Sequence, residues 1–124
     1  MNSRLLVAAA ASLVLLAACD STAQLSQKPA AWTASYRVPY DVFAECIAQH
    51  ERLPWTKVTP TIDSGARRAT VSVAAATGSA LGFYDIRSAG NGRIDVSYSS
   101  IYGGPGSTAG GDALDKANRC GNVR

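Results

Sequence analysis

The 124-residue sequence holds one histidine, one methionine and three cysteines, and only 7% of it is aromatic. A single histidine excludes the two-histidine metal motifs, and neither a G-x-S-x-G nucleophile turn nor a loop ending in Gly-Lys-Ser/Thr is present. Charge of one sign is lacking as well, since 12 Lys and Arg stand interspersed with 9 Asp and Glu. Arg67-Arg68, the only adjacent basic pair, falls in an expected turn and reads as a solvated pair. Nucleic-acid binding, which asks for a concentrated basic patch, is therefore not expected. No apolar run reaches the roughly 18 residues that a membrane-spanning helix needs. The longest, Leu5 to Leu16, is interrupted by Ser12 and as a helix would rise about 18 Å, against a hydrocarbon core of about 30 Å.

What is there at the N-terminus is an export signal. Arg4 and the free amino group precede that apolar run, and the small residues Ala17 and Ala18 follow it. The stretch Leu16-Ala17-Ala18-Cys19 resembles the lipobox of bacterial lipoproteins. The resemblance covers residues 1–19 only. It implies cleavage of a signal peptide, residues 1–18, and lipid attachment at Cys19: diacylglycerol on the sulfur and an acyl chain, such as palmitate, on the new amino terminus. At roughly 0.8 kcal/mol for each buried methylene, two or more chains make a durable membrane anchor. The implied location is the bacterial cell envelope, facing the periplasm. Asp20 resembles the signal that retains lipoproteins in the inner membrane of enteric bacteria, a rule that differs between bacterial groups, so both membranes stay open.

Residues 19–31 are small, polar and without period, and read as a lipidated flexible tether with a reach of about 20 Å. Removing residues 1–18 from 124 leaves 106, enough for one domain over residues 32–124. Only Arg4 leaves with the signal, so 11 bases face 9 acids in the mature chain, a balance of +2.

Within the domain, Trp32, Ala34, Tyr36 and Val38 alternate as on a strand. Pro39 opens a helix in which Phe43, Cys46, Ile47 and His50 recur at helical spacing. Four further strands follow, and their registers come from requiring apolar residues to face one another. A type II′ turn at Gly65-Ala66 pairs Ile62 with Ala69, Val58 with Val73 and Pro60 with Val71, which places that first strand at an edge or a bulge. A loop over Ala76–Ser79 pairs Val71 with Tyr84 and Val73 with Gly82. A three-residue loop, Gly90-Asn91-Gly92, pairs Ile86 with Val96 and Tyr84 with Tyr98, whereas a one-residue slip would bury Asp85 and Arg87. A Gly-rich loop over residues 102–111 precedes a last helix that opens at Asp112, turns Ala113, Ala117 and Cys120 inward and stops at Gly121. The fold class is α+β: a single β-α-β-β-β-β-α domain with an antiparallel sheet and two helices on its one buried face, the position of the first strand being left open.

With Cys19 committed to lipid, Cys46 and Cys120 form an even pair in an oxidising compartment, each on an inward helical face, and are expected as a disulfide. Neither belongs to a Cys-x-x-Cys, and with His50 they fall short of a closed zinc set, so no metal is expected. His50, with Glu45 and Glu51 as its nearest acids, reads as a half-buried packing or C-terminal capping residue. No catalytic residue and no cofactor are assigned. The glycines of 103–111 read as linkage, because Asp112 would repel a phosphate. The aromatics Tyr36, Tyr40, Phe43, Phe83, Tyr84, Tyr98 and Tyr102 are assigned to the core, and Trp55, after Pro54, is the candidate partner contact.

The expectation is a non-catalytic, membrane-anchored lipoprotein that presents its disulfide-braced domain to an envelope protein through an exposed apolar or aromatic patch. A carrier of a small apolar ligand would instead need an apolar cavity of a few hundred Å³ between sheet and helices. A periplasmic inhibitor or immunity lipoprotein is a further alternative. An enzyme would need polar side chains converging on His50.

Overall fold

A computed structural model describes residues 22–104 and 106–122. The expected signal peptide over residues 1–18, its lipobox-like end and Cys19 lie outside these residues. The elements are α1 (Thr22–Leu25), β1 (Trp32–Tyr36), α2 (Tyr40–Glu51), β2 (Thr56–Asp63), β3 (Arg68–Ala75), β4 (Ala80–Gly90), β5 (Arg93–Ser100) and α3 (Thr108–Gly121). From Trp32 onward the order is β-α-β-β-β-β-α, as the period analysis implied. The five strands form one antiparallel sheet in the order β1-β5-β4-β3-β2. The first strand, left open by the sequence, lies at an edge on β5 with Trp32 opposite Tyr98.

The registers agree with the face-matching argument at every expected pair. Ile62 lies opposite Ala69, Pro60 opposite Val71, Val58 opposite Val73, Val71 opposite Tyr84, Ile86 opposite Val96 and Tyr84 opposite Tyr98. Pro60 is tolerated because β2 is the other edge strand, where a missing amide donor leaves no neighbour unpaired.

Two turns reach these registers by other means. Asp63 pairs with Arg68, and the left-handed residue between them is Arg67 (φ 52°), not Gly65, so the turn is a four-residue loop rather than a type II′ pair. Between β4 and β5, Asn91 and Gly92 (φ 57° and 72°) form a two-residue turn, and the odd residue lies inside β4, where the register shifts between Ser88 and Gly90. Moving the bulge from the turn into the strand keeps the same faces buried, which is why the pairing was right and the loop wrong.

α2 and α3 cover one face of the sheet, packed on it and on each other. Phe43, Ile47, Val71, Tyr84, Ile86, Ile94, Val96, Ala113 and Ala117 form the main core. Cys46 and Cys120 meet as the expected disulfide, Cα–Cα 5.8 Å, which ties α2 to α3 across 74 residues of sequence. The buried stripe of α2 is rotated from the expected one: Ala44, Ala48 and Glu51 are buried with Phe43 and Ile47, and His50 is exposed rather than half-buried.

α3 starts four residues earlier than expected. Ser107 caps it by accepting a hydrogen bond from the Gly110 N–H at 3.1 Å, and Thr108–Gly111 belong to its first turn. Gly110 is buried there. A Cβ on it would stand 3.0 Å from Ser107 Oγ and 3.2 Å from the Ala31 Cβ, and its carbonyl accepts from Trp32 Nε1 at 2.8 Å. Close packing against Ala31 and Trp32 thus favours glycine at position 110 in spite of its low helix propensity.

The opposite face of the sheet is not wholly open, contrary to the single buried face expected. Residues 22–31, expected to be a flexible tether, include α1, and Leu25 is fully buried with Ala80 and Phe83, flanked by Ile101. Phe83 follows Tyr84's neighbour rule: adjacent residues of a strand point to opposite faces, so Phe83 needs this second cover. No helix among the described residues is long and apolar enough to cross a membrane.

Candidate functional site

At the end of the sheet where β2 begins and β5 ends, three large hydrophobic residues stay exposed: Leu53, Trp55 (64%) and Tyr102 (64%). They rim a groove of about 200 Å³ that runs between α3 and the sheet. Trp55 is held by a hydrogen-bonded turn. Thr56 Oγ1 accepts from the Leu53 N–H at 2.9 Å and donates to the Glu51 carbonyl at 3.0 Å, the Thr56 N–H reaches the Leu53 carbonyl at 3.1 Å, and the Trp55 carbonyl accepts from Ala76 N–H at 3.1 Å. The indole is therefore presented on fixed backbone, which lowers the ordering cost of any contact it makes.

The floor of the groove is polar and closed. Glu51, 8% exposed at the end of α2, accepts from Lys116 Nζ at 2.9 Å through Oε1 and from the Tyr84 hydroxyl at 2.5 Å through Oε2. Burial first, and the Glu51 carboxylate second, push the Tyr84 phenol far above its ordinary value. Burial likewise raises Tyr98. Both phenols stay neutral at physiological pH, and the carboxylate is engaged by two donors. Beneath them Trp32 stacks on Tyr98 (ring centroids 5.8 Å apart), and Tyr84 meets Tyr98 at 4.7 Å. Among the described residues no buried side-chain nitrogen or oxygen lacks a hydrogen bond. The arrangement is a satisfied clamp between two helices and the central strand, overlaid by an apolar rim with Asp112 and the partly exposed Lys116 beside it. Such a surface suits recognition of a side chain or short segment.

The other expected site residues separate. Trp55, the candidate partner contact, is exposed. Tyr102, assigned to the core, is equally exposed and joins Trp55 at the rim; Phe83 packs under α1 instead of in the main core. Ligand atoms of Cys46, His50 and Cys120 lie within 4.8 Å of one another, but the two sulfurs are bonded together. Glu51, read only as a neighbour of His50, points away from it to Lys116 and Tyr84. The signal for Glu51 was present: it stands four residues after Ile47 and eight after Phe43, and a carboxylate on an apolar stripe requires partners. Lys116, three residues after Ala113, offered no such signal.

No family model matches the chain, and neither a curated protein nor a solved structure shows significant similarity to it.

Proposed function

We propose that this chain is a lipid-anchored protein of the bacterial cell envelope, facing the periplasm, that presents the Leu53–Trp55–Tyr102 surface to a protein partner at the membrane. The observation that carries the reading is the exposure of two aromatic rings around one groove, Trp55 on a hydrogen-bonded turn and Tyr102 just after β5. Their position adds to it. Leu25 packs by Ala80 at the start of β4, and Leu81, the next residue, lines the groove, so the chain enters the domain at the end that carries the rim. Cys19 stands three residues before Thr22, at most about 10 Å of extended chain. A lipidated Cys19 would hold the aromatic end close to the bilayer rather than letting the domain range over the 20 Å of a free tether.

The groove favours surface recognition over carriage, because it ends on an ion pair rather than in an apolar chamber. Mild crosslinking of the membrane-anchored protein followed by affinity capture tests the reading. Trp55→Ala with Tyr102→Ala should lower partner recovery more than about tenfold while leaving thermal stability near that of the parent. Cys19→Ala should release the protein from its membrane anchor. Unchanged recovery with the double variant, or co-purification of a lipid or metabolite in place of a protein, would reject it.

A further inference from the structure

The end of the sheet opposite the aromatic rim carries three arginines around one cavity. Arg37 follows β1, Arg67 closes the β2–β3 turn and Arg93 begins β5; with Tyr40, Ser88 and Asn91 they line about 310 Å³. Among the described residues no carboxylate lines this cavity. The contrast with the neighbouring arginines is specific: Arg68 and Arg87 both pair with Asp85, whereas Arg37, Arg67 and Arg93 have no side-chain hydrogen bond or ion pair among the described residues. Asp41, Asp63 and Asp95, close in sequence to the lining residues, do not line the cavity. Asp63 accepts from the Ala66 N–H, Asp41 from the Val42 N–H, and Asp95 from the Ser35 hydroxyl. A concave wall of one sign concentrates positive potential and calls for an anionic occupant.

Backbone cost points the same way. Arg67 sits at φ 52°, where an L-residue other than glycine or asparagine costs about 1–2 kcal/mol. Its carbonyl accepts from the Ser88 N–H at 3.0 Å, so the strained turn is pinned to the wall of the cavity. Glycine would satisfy that conformation; arginine adds a guanidinium at the cavity's edge. Strain held at a binding surface is the pattern expected where the side chain has a task.

We propose that this cleft binds a phosphate group carried on a small organic body. The planar forks of Arg37, Arg67 and Arg93 match phosphate oxygens in a way that an ammonium would not. The cavity exceeds a bare phosphate, and the accessible Pro39 and Tyr40 line it beside the arginines, where the remainder of the ligand would lie. The phosphate is that of a soluble phosphate ester or of a lipid headgroup in a membrane other than the one that holds Cys19, since the cleft lies at the end of the sheet away from the anchored rim. The site does not depend on the aromatic rim, which lies at the other end of the sheet.

The test uses the full chain in nonionic detergent, titrated once with glycerol 3-phosphate and once with micelle-borne phosphatidic acid, with the amide and arginine Nε–H NMR signals as readout. At low ionic strength, signals of Arg37, Arg67, Arg93 and the Gly90–Gly92 turn should shift, and added salt should weaken binding. Arg67→Gly fits the left-handed backbone and so should fold at least as stably as the parent, yet bind at least about tenfold more weakly. Arg93→Gln should do the same, and Lys57→Gln, at the other end of β2, should leave binding unchanged. Losses seen with glycerol 3-phosphate identify a soluble phosphate ester, and losses confined to phosphatidic acid identify a headgroup; either supports the site. Binding of neither probe, or binding untouched by both Arg67→Gly and Arg93→Gln, overturns it.

Discussion

The Tyr84 hydroxyl, on the central strand, donates to Glu51 Oε2 at the last turn of α2, so the end of one helix is fastened to the middle of the sheet. That bond sets the alkaline behaviour of the fold. Tyr84 keeps its proton far above its ordinary value of 10.0, while an unfolded tyrosine releases it there. Above about pH 10 the folded state binds more protons than the unfolded one, so stability falls as pH rises and is unaffected by this group below that point. Tyr36 and Tyr98 shift in the same direction and add to the loss. Tyr84→Phe should cost about 1–3 kcal/mol at pH 7, by leaving Glu51 short of a donor, and should flatten the decline between pH 10 and 11.5. Urea unfolding across that range checks it, and an unchanged slope would count against the role of Tyr84.

Joining Cys46 to Cys120 closes a loop of 74 residues, for which chain entropy gives about 4.4 kcal/mol as an upper expectation. Replacing both cysteines with alanine should therefore lower unfolding stability by about 2–4 kcal/mol. Denaturant midpoints of the oxidised parent and the double variant measure this. Peptide mapping without reductant should recover the two cysteine peptides joined.

Gly121, at the end of α3, lies against Tyr36, and a Cβ there would fall 2.0 Å from Tyr36 Cδ1. The ring cannot swing aside freely, since it stacks on Phe43 and its hydroxyl donates to Asn118 Oδ1 at 2.7 Å. Gly121→Ala should destabilise by about 1–3 kcal/mol through overpacking. A melting temperature equal to the parent's would show that β1 yields at no cost.

Leu25 anchors α1 to the outer face over Ala80 and Phe83. Leu25→Ala should release residues 22–30 without unfolding the main core, because Leu25 belongs to a separate cluster while Ala31 stays in the main core and donates to the Tyr98 carbonyl at 2.7 Å. Hydrogen exchange at the Ser26 and Lys28 amides should accelerate while that of β4 and β5 stays slow. Equal acceleration throughout would show one cooperative unit.

The legible part of this structure was the part written in local periods. Alternation gave the hairpin partners Val58–Val73, Ile86–Val96 and Tyr84–Tyr98, since a slip of one residue would turn every buried side chain outward. The devices within the turns were harder to read. Arg67, not Gly65, takes the left-handed position, and the β4 bulge precedes Asn91-Gly92, because several backbone solutions satisfy one register. Of the aromatic rim, Trp55 was legible from the proline before it. Tyr102 was not, since nothing local distinguishes a core tyrosine from an exposed one.

By itself the sequence determined the α+β order, the strand registers and the inward turn of Cys46 and Cys120, all properties of neighbouring residues or of short repeats. Only the tertiary structure decided that β1 lies on β5, that Leu25 covers Phe83, that Lys116 reaches Glu51, and that Arg37, Arg67 and Arg93 share one cavity. Each of these joins residues separated by a turn, a helix or most of the domain. Their proximity follows from how the sheet and helices close on one another, which no local pattern records.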